Sequence, residues 1–326
     1  MPQILVDGLS KTFRVAERKS GLLGAFGGLI HRQYRTVDAL SDVTFSIDEG
    51  ELVGYIGPNG AGKSTTIKIL SGILVPSNGR CEVDGRAPWK QRRKHVASIG
   101  VVFGQRTQLW WDLPVIESFD LLRDIYRVPR SAYERRRDEL IEMLDLNDLL
   151  DTPVRQLSLG QRVRCDIAAA LLHEPKILFL DEPTIGLDAV SQLNVRAFIK
   201  QLSREQNVTV LLTTHDLDDI EALCDRILVL NDGRLLMDGS IEELRKRYGD
   251  GRYVAVELES FTDVSPAHEN VVVERSDSHI LFSVESDVPT FIDEVLQRYP
   301  VKDLLITHPP IERVVATMYQ TERIQH

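Results

Sequence analysis

Cysteine is scarce in this chain of 326 residues, long apolar runs are missing, and there is no excess of positive charge. The three cysteines, Cys81, Cys165 and Cys224, are odd in number and far apart. That spacing excludes a disulfide framework or a zinc cluster and suits reduced core thiols, so a cytosolic setting is expected. No apolar run approaches the ~18–20 residues that span a bilayer, and Met1-Pro2-Gln3 opens no signal-peptide pattern. With 39 Lys+Arg against 49 Asp+Glu the net charge is −10, which makes a poor general nucleic-acid binder, because phosphate affinity needs clustered cations. Hydrophobic residues make up 43% and charged residues 27%, the balance of a globular protein with room for two domains.

Charge is unevenly spread. Gly251 to His326 holds 13 acidic and 6 basic residues, whereas Lys11 to Arg35 holds six basic residues and one acidic, Glu17. Val43, Phe45 and Ile47 alternate with polar residues, the period of a half-buried strand. Leu52–Ile56, Ile177–Leu180 and Val208–Leu212 are continuous apolar runs, as in parallel strands covered on both faces. Helices are expected over Ala61–Leu74 and across the block Ile116–Leu150. A hairpin is expected to turn at Asn231-Asp232-Gly233, and Ser240 with Glu243 forms a capping box for a helix stopped by Gly249. Beyond Gly251 the pattern becomes that of a small α+β module. The stretch 20–34 interrupts the N-terminal strands. Its Leu22, Leu23, Phe26, Leu29 and Ile30 make an apolar stripe if helical, with basic flanks that suit a membrane interface or a partner's juxtamembrane segment; packing against the protein itself and a flexible solvent loop are the alternatives.

Gly57-Pro58-Asn59-Gly60-Ala61-Gly62-Lys63-Ser64 matches the phosphate-binding loop G-x-x-x-x-G-K-[ST] and stands between an expected strand and an expected helix, as the motif requires. Its glycines let backbone N–H groups converge on phosphate oxygens at a helix N-terminus. Lys63 is expected to reach the β/γ-phosphates and Ser64 to ligate Mg²⁺, with Thr65 the next residue of the site. The apolar run Ile177–Leu180 delivers Asp181, suited to Mg²⁺, and Glu182, suited to general-base activation of water. These elements point to a P-loop NTPase that takes a nucleoside triphosphate with Mg²⁺.

Leu157-Ser158-Leu159-Gly160-Gln161 narrows that class. With it the sequence resembles the ATP-binding cassette (ABC) ATPases, from about Gln3 to Tyr248. The resemblance implies an α/β fold: a P-loop NTPase (RecA-like) core with an antiparallel β subdomain and a helical signature subdomain at about 106–173. The expected domains are 1–250 for nucleotide binding and 251–326 for an accessory α+β unit. It also implies roles. Phe13 would stack on adenine, Gln105 would touch Mg²⁺ and couple to a membrane partner, and His215 would sense the γ-phosphate. Ser158, Gly160, Gln161 and Asp188 would close the nucleotide of a second chain in a head-to-tail dimer. Leu159 departs from the family's middle glycine, and Phe13 from its commoner tyrosine.

One cassette per chain, a separation of 118 positions from Lys63 to Asp181, and net acidity fit a transporter subunit better than a translation factor or a coiled-coil chromosome protein. The loop wording, the signature and the acidic C-terminal module resemble the ABC-2 type exporter and drug-resistance branch. That branch implies a peripheral ATPase on the cytoplasmic face of the membrane, partnered by separate permease chains. An importer subunit, or an exporter of polysaccharide, lipid or ions, is the other reading.

Overall fold

The structure, a computed structural model, describes residues 2–16, 34–104, 106–249, 251–259, 271–276, 278–284 and 287–324. Gln105 and the stripe within 20–33 lie outside them. The elements run β1 (Ile4–Ala16), β2 (Tyr34–Ile47), β3 (Leu52–Ile56), α1 (Lys63–Leu70), β4 (Asn78–Val83), α2 (Arg92–Val96), β5 (Ile99–Phe103), α3 (Val115–Tyr126), α4 (Arg130–Met143), α5 (Leu159–Leu171) and β6 (Ile177–Asp181). Then come α6 (Ala189–Gln206), β7 (Thr209–Thr213), α7 (Leu217–Leu223), β8 (Arg226–Asn231), β9 (Arg234–Ser240), α8 (Ile241–Tyr248), β10 (Arg252–Leu258), β11 (Val272–Arg275), β12 (His279–Val284), α9 (Val288–Arg298), β13 (Val301–Thr307) and α10 (Ile311–Ile324). They form two compact units, Met1–Gly239 and Ser240–His326.

In the first unit a six-stranded sheet has the order β5-β6-β7-β3-β8-β9. Its inner pairs are parallel, with Asp181 beside Thr213 and Tyr55 beside Thr213. Every residue of β7 is buried, as is Ile177–Leu180 of β6, so the apolar runs are strands covered on both faces. An antiparallel sheet, β2-β1-β4, shares a core with it: Val43, Phe45 and Ile47 of β2 meet Tyr55, Ile67 and Leu228. The three cysteines are buried and free, and burial pushes the Cys81 and Cys165 thiols up to about 12. Among the described residues no helix is long and apolar enough to cross a membrane.

One helix boundary is corrected, and the helical block Ile116–Leu150 resolves into its parts. The helix expected over Ala61–Leu74 is α1, which ends at Leu70. Gly72 takes φ +76°, its N–H donates to the Ile69 carbonyl (3.0 Å), and the Ile73 N–H donates to Lys68 (2.8 Å). This double reversal closes a helix through a left-handed glycine. The block Ile116–Leu150 is two helices and a one-turn piece, Asn147–Leu149. Arg127 at φ +59° ends α3, and Pro129, which bars helical geometry at Val128, opens α4.

The second unit starts earlier in the chain than residue 251. Helix α8 carries the expected capping box, and its Tyr248 hydroxyl donates to Glu322 of α10 (2.9 Å). Antiparallel strands β11-β12-β10-β13 bury Val254, Val256, Ile280 and Phe282 with Val295 and Tyr299 of the α9 segment.

Within the helical subdomain, α5 is joined to the segment after β5 by Asp166. Its carboxylate accepts from the Thr107 hydroxyl (2.8 Å) and the Gln108 N–H (3.0 Å). These bonds favour the ionised form, yet burial outweighs them and pushes the carboxyl up to about 6. A raised folded-state value means that this group's contribution is fully present below about pH 4 and is lost as pH rises through about 6. Asp166→Asn keeps the acceptor oxygen without the charge. It should therefore be more stable than the wild type above pH 6, by on the order of 1–3 kcal/mol, and melt at a higher temperature, and the gap should close on acidification. Thermal melts of both proteins from pH 8 to pH 5 measure this; a gap independent of pH would show that the Asp166 charge carries no such penalty.

Candidate functional site

A cleft of about 680 Å³ opens at the carboxyl ends of the parallel strands, where open α/β sheets bind ligands. Its lining includes Asn59, Gly60, Gly62, Lys63, Ser64, Thr65, Asp181, Glu182 and His215. Residues separated by more than a hundred positions in sequence thus meet here. Gly57, Pro58 and Ala61 complete the loop behind them.

The loop's shape follows from its glycines. A side chain at Gly57 would overlap the Leu230 carbonyl, and Gly62, at φ +109°, lies against the Ala39 carbonyl. Gly62 is the N-cap of α1 and supplies no side chain to it, and there is no acidic residue in the first turn. The helix therefore points uncompensated amide dipoles into the cleft, a ready anion site. Lys63 Nζ donates to the Gly57 carbonyl (2.6 Å) and the Pro58 carbonyl (3.3 Å). Burial pulls its ammonium below the usual lysine range, and the nearby Glu182 and Asp181 carboxylates partly oppose that pull.

Asp181 closes β6 with one oxygen on two elements. Its Oδ1 accepts from Ser64 Oγ (3.3 Å) and from Thr213 Oγ1 (2.6 Å). Glu182 follows in a left-handed conformation, φ +59°, unusual for a residue with a Cβ. The neighbours enforce it. Its N–H donates to the Thr213 carbonyl (2.9 Å), and its own carbonyl lies where any side chain at Gly104 would collide. Glu182 Oε2 accepts from the His215 backbone N–H (3.3 Å) and meets His215 Nδ1 at 2.5 Å. That second contact needs the proton on Nδ1, and it leaves Nε2 as the free ring nitrogen.

Other expected site residues lie elsewhere. Phe13 sits on β1, paired with Val37 and half-buried, with Lys11 Nζ 5.1 Å from its ring centre, and is not part of the cleft lining. Ser158 caps α5: its hydroxyl accepts from the Gln161 N–H (3.2 Å), and Gln161 Oε1 accepts from the Ser158 N–H (2.9 Å). Asp188 caps α6 through the Ser191 N–H (2.9 Å) and hydroxyl (2.7 Å), which hold its carboxyl below the usual range. Gly160 packs against Ser191, and Leu159 against Gly186. These residues make a second patch. Sequence reasoning assigned no role to Thr213 or Gly104. The tripeptide Thr213-Thr214-His215 carried the signal for the former, and the latter shows only as a glycine closing an apolar strand.

A family profile described as "ABC transporter" matches residues 40–185. The ABC transporter ATP-binding protein NatA of Bacillus subtilis is 36% identical over 210 residues, 64% of this chain and 85% of that protein. The daunorubicin resistance ATP-binding protein DrrA3 of Streptomyces coeruleorubidus is 37% identical, over 68% of this chain and 69% of that one. The methionine import ATP-binding protein MetN of Geobacillus kaustophilus is 36% identical over 63% and 61%. Among solved structures, the dimeric post-hydrolysis cassette MJ0796 bound to ADP and Pi superposes with a TM-score of 0.61 at 29% identity, over 73% of this chain and 98% of that one. With the phosphate loop, acidic strand and histidine strand gathered on one parallel sheet, this chain belongs to the ABC transporter ATP-binding family and is an ATP-hydrolysing, ATP-binding subunit.

Proposed function

We propose that the chain drives export through separate ABC-2 type permease chains, docked at the cytoplasmic face of the membrane and paired head-to-tail with a second copy or a homologous ATPase. The observation that carries the catalytic part is the Glu182–His215 contact beside Lys63 and Ser64 in one cleft. In this reading the amides of Gly57 to Thr65 cradle the phosphates, and Lys63 leaves the loop carbonyls for the β/γ-phosphate oxygens. Glu182, ionised and aimed by two donors, takes the proton of the attacking water. His215 keeps Glu182 oriented and offers its other nitrogen toward the γ-phosphate. Ser64 Oγ and Asp181 Oδ1, already neighbours at 3.3 Å, are hard oxygen donors of the kind that hold Mg²⁺ with a substrate phosphate. Bound there, the ion offsets charge on the phosphoryl oxygens. Gln105 would be a further ligand and the link to the permease, and Phe13 the adenine stacker.

Ser158, Gly160 and Gln161 would close the partner chain's nucleotide, with Asp188 crossing the interface; their own patch, apart from the cleft, supports action in trans. Export is supported by the drug-resistance relative, and the methionine-import relative supports the second reading, an importer subunit. Trp110 and Trp111, 38% and 51% exposed, offer an aromatic surface for a permease helix in either case.

Glu182→Gln should lower turnover by about 10²–10⁴-fold while retaining ATP and trapping a dimer visible by size-exclusion chromatography. Lys63→Ala should weaken nucleotide binding itself. Wild-type turnover by Glu182→Gln would remove Glu182 as the base. Mixing Ser158→Arg chains with Lys63→Ala chains should restore part of the activity, because both lesions can fall on one interface and leave the other intact; verified mixed dimers with no recovery would refute closure in trans. Purification of the trapped Glu182→Gln chain from membranes should bring down ABC-2 type permease chains, and an importer permease in their place would decide for the second reading.

A further inference from the structure

Asp219 lies on α7, away from the cleft lining, and is 0% exposed. A carboxylate so placed is costly unless every lone pair has a donor. Its Oδ2 accepts from the Thr184 hydroxyl and, at 3.5 Å, from the Thr214 hydroxyl, and its Oδ1 accepts from Arg196 Nε of α6. Arg196 also reaches Asp216 Oδ2 (3.6 Å), and the Asp216 N–H donates to Thr214 Oγ1 (3.0 Å). Thr184 stands two residues after Glu182, and Thr214 one residue before His215. Both threonines are buried, so neither hydroxyl has water as an easy substitute partner.

We propose that Asp219 is a positioning residue for hydrolysis. By holding Thr184, Thr214 and Arg196 on one buried carboxylate, it fixes the segment carrying Glu182 against the segment carrying His215. The inference rests on the reading of Glu182 as the base. The left-handed backbone at Glu182 needs restraint on its far side as well as from Thr213 and Gly104, and the Thr184–Asp219 bond supplies it. Arg196 extends the restraint to α6, the helix that Asp188 caps.

The test uses the purified full-length chain and reads kcat, KM for ATP, and ATP affinity by titration calorimetry. Thr184→Val removes the hydroxyl at nearly constant shape, and Thr184→Ser restores it. Thr184→Val and Asp219→Asn should each lower kcat, by up to about 10²-fold if the reacting groups shift by an ångström, with KM and ATP affinity close to wild type. Thr184→Ser should recover most of the rate. Two results would overturn the proposal: wild-type kcat in folded Thr184→Val, or a fall in ATP affinity and melting temperature that parallels the fall in rate. If Asp219→Asn does not fold, the Thr184 pair decides alone. Glu182→Gln assayed alongside separates the two levels: an inactive Glu182→Gln with a fully active Thr184→Val refutes only the positioning role, whereas a fully active Glu182→Gln removes the base and the positioning role together.

Discussion

One oxygen atom, Asp181 Oδ1, joins the three parts of the site, because Ser64 at the start of α1 and Thr213 at the end of β7 both donate to it. That convergence is possible only because β6, β7 and β3 are parallel and in register, so that Asp181, Thr213 and Tyr55 end at one level. The strands are buried on both faces, and a slip by one residue would either bring Leu180 to the edge or draw the carboxylate under the helices, depending on its direction. The apolar runs therefore set the register, and the register sets the chemistry. Glu182 carries the ladder one step further through its N–H on Thr213, and there the backbone must turn left-handed. Gly104 leaves the room for that turn.

The electrostatics of the cleft are balanced on a narrow margin. Two carboxylates face a lysine whose ammonium burial already disfavours, and their charge only partly offsets that penalty. A triphosphate entering this space meets repulsion from Asp181 and Glu182. The uncapped amides of α1 can outweigh it, and a divalent cation, if held by Ser64 and Asp181 as proposed, would add to them. ATP affinity would then be a collective property of loop, helix end and ion, which leaves Glu182 available for its proposed role as base.

Most of this core was legible in the sequence because its determinants are local. The loop Gly57–Ser64 needs its glycines whatever surrounds it, and Ile177–Glu182 states both a buried strand and its charged end. The helix ends were legible less well. Gly72 and Pro129 are visible stop signals, but the apolar periodicity of Ile73 and Leu74, and of the residues flanking Pro129, ran through them and masked the breaks. The start of the second unit was obscured for a different reason: the capping box of α8 marks a helix, and contacts such as Tyr248–Glu322, across 74 positions of sequence, show which unit it joins. The Asp219 cluster is of the same kind. No motif links Thr184, Arg196, Thr214 and Asp219; the fold does.

Leu159 shows how a departure from a family pattern can be absorbed. A side chain in place of the middle glycine of the signature could have blocked the surface that Ser158 presents. It turns instead over Gly186, whose φ of +71° favours glycine and whose missing Cβ leaves the space; a Cβ there would lie 2.8 Å from Leu159 Cδ2. Gly160 makes the matching close approach to Ser191, whose hydroxyl and N–H are held by Asp188. The signature turn and the Gly186–Asp188 turn are thereby packed as one piece at the N-terminus of α6. Arg196 lies about two turns further along that helix, bonded to Asp219. In the proposed head-to-tail dimer, displacement of this piece by the partner chain would therefore act on the same buried carboxylate that holds the segments of Glu182 and His215, which would couple closure to the alignment of the proposed base.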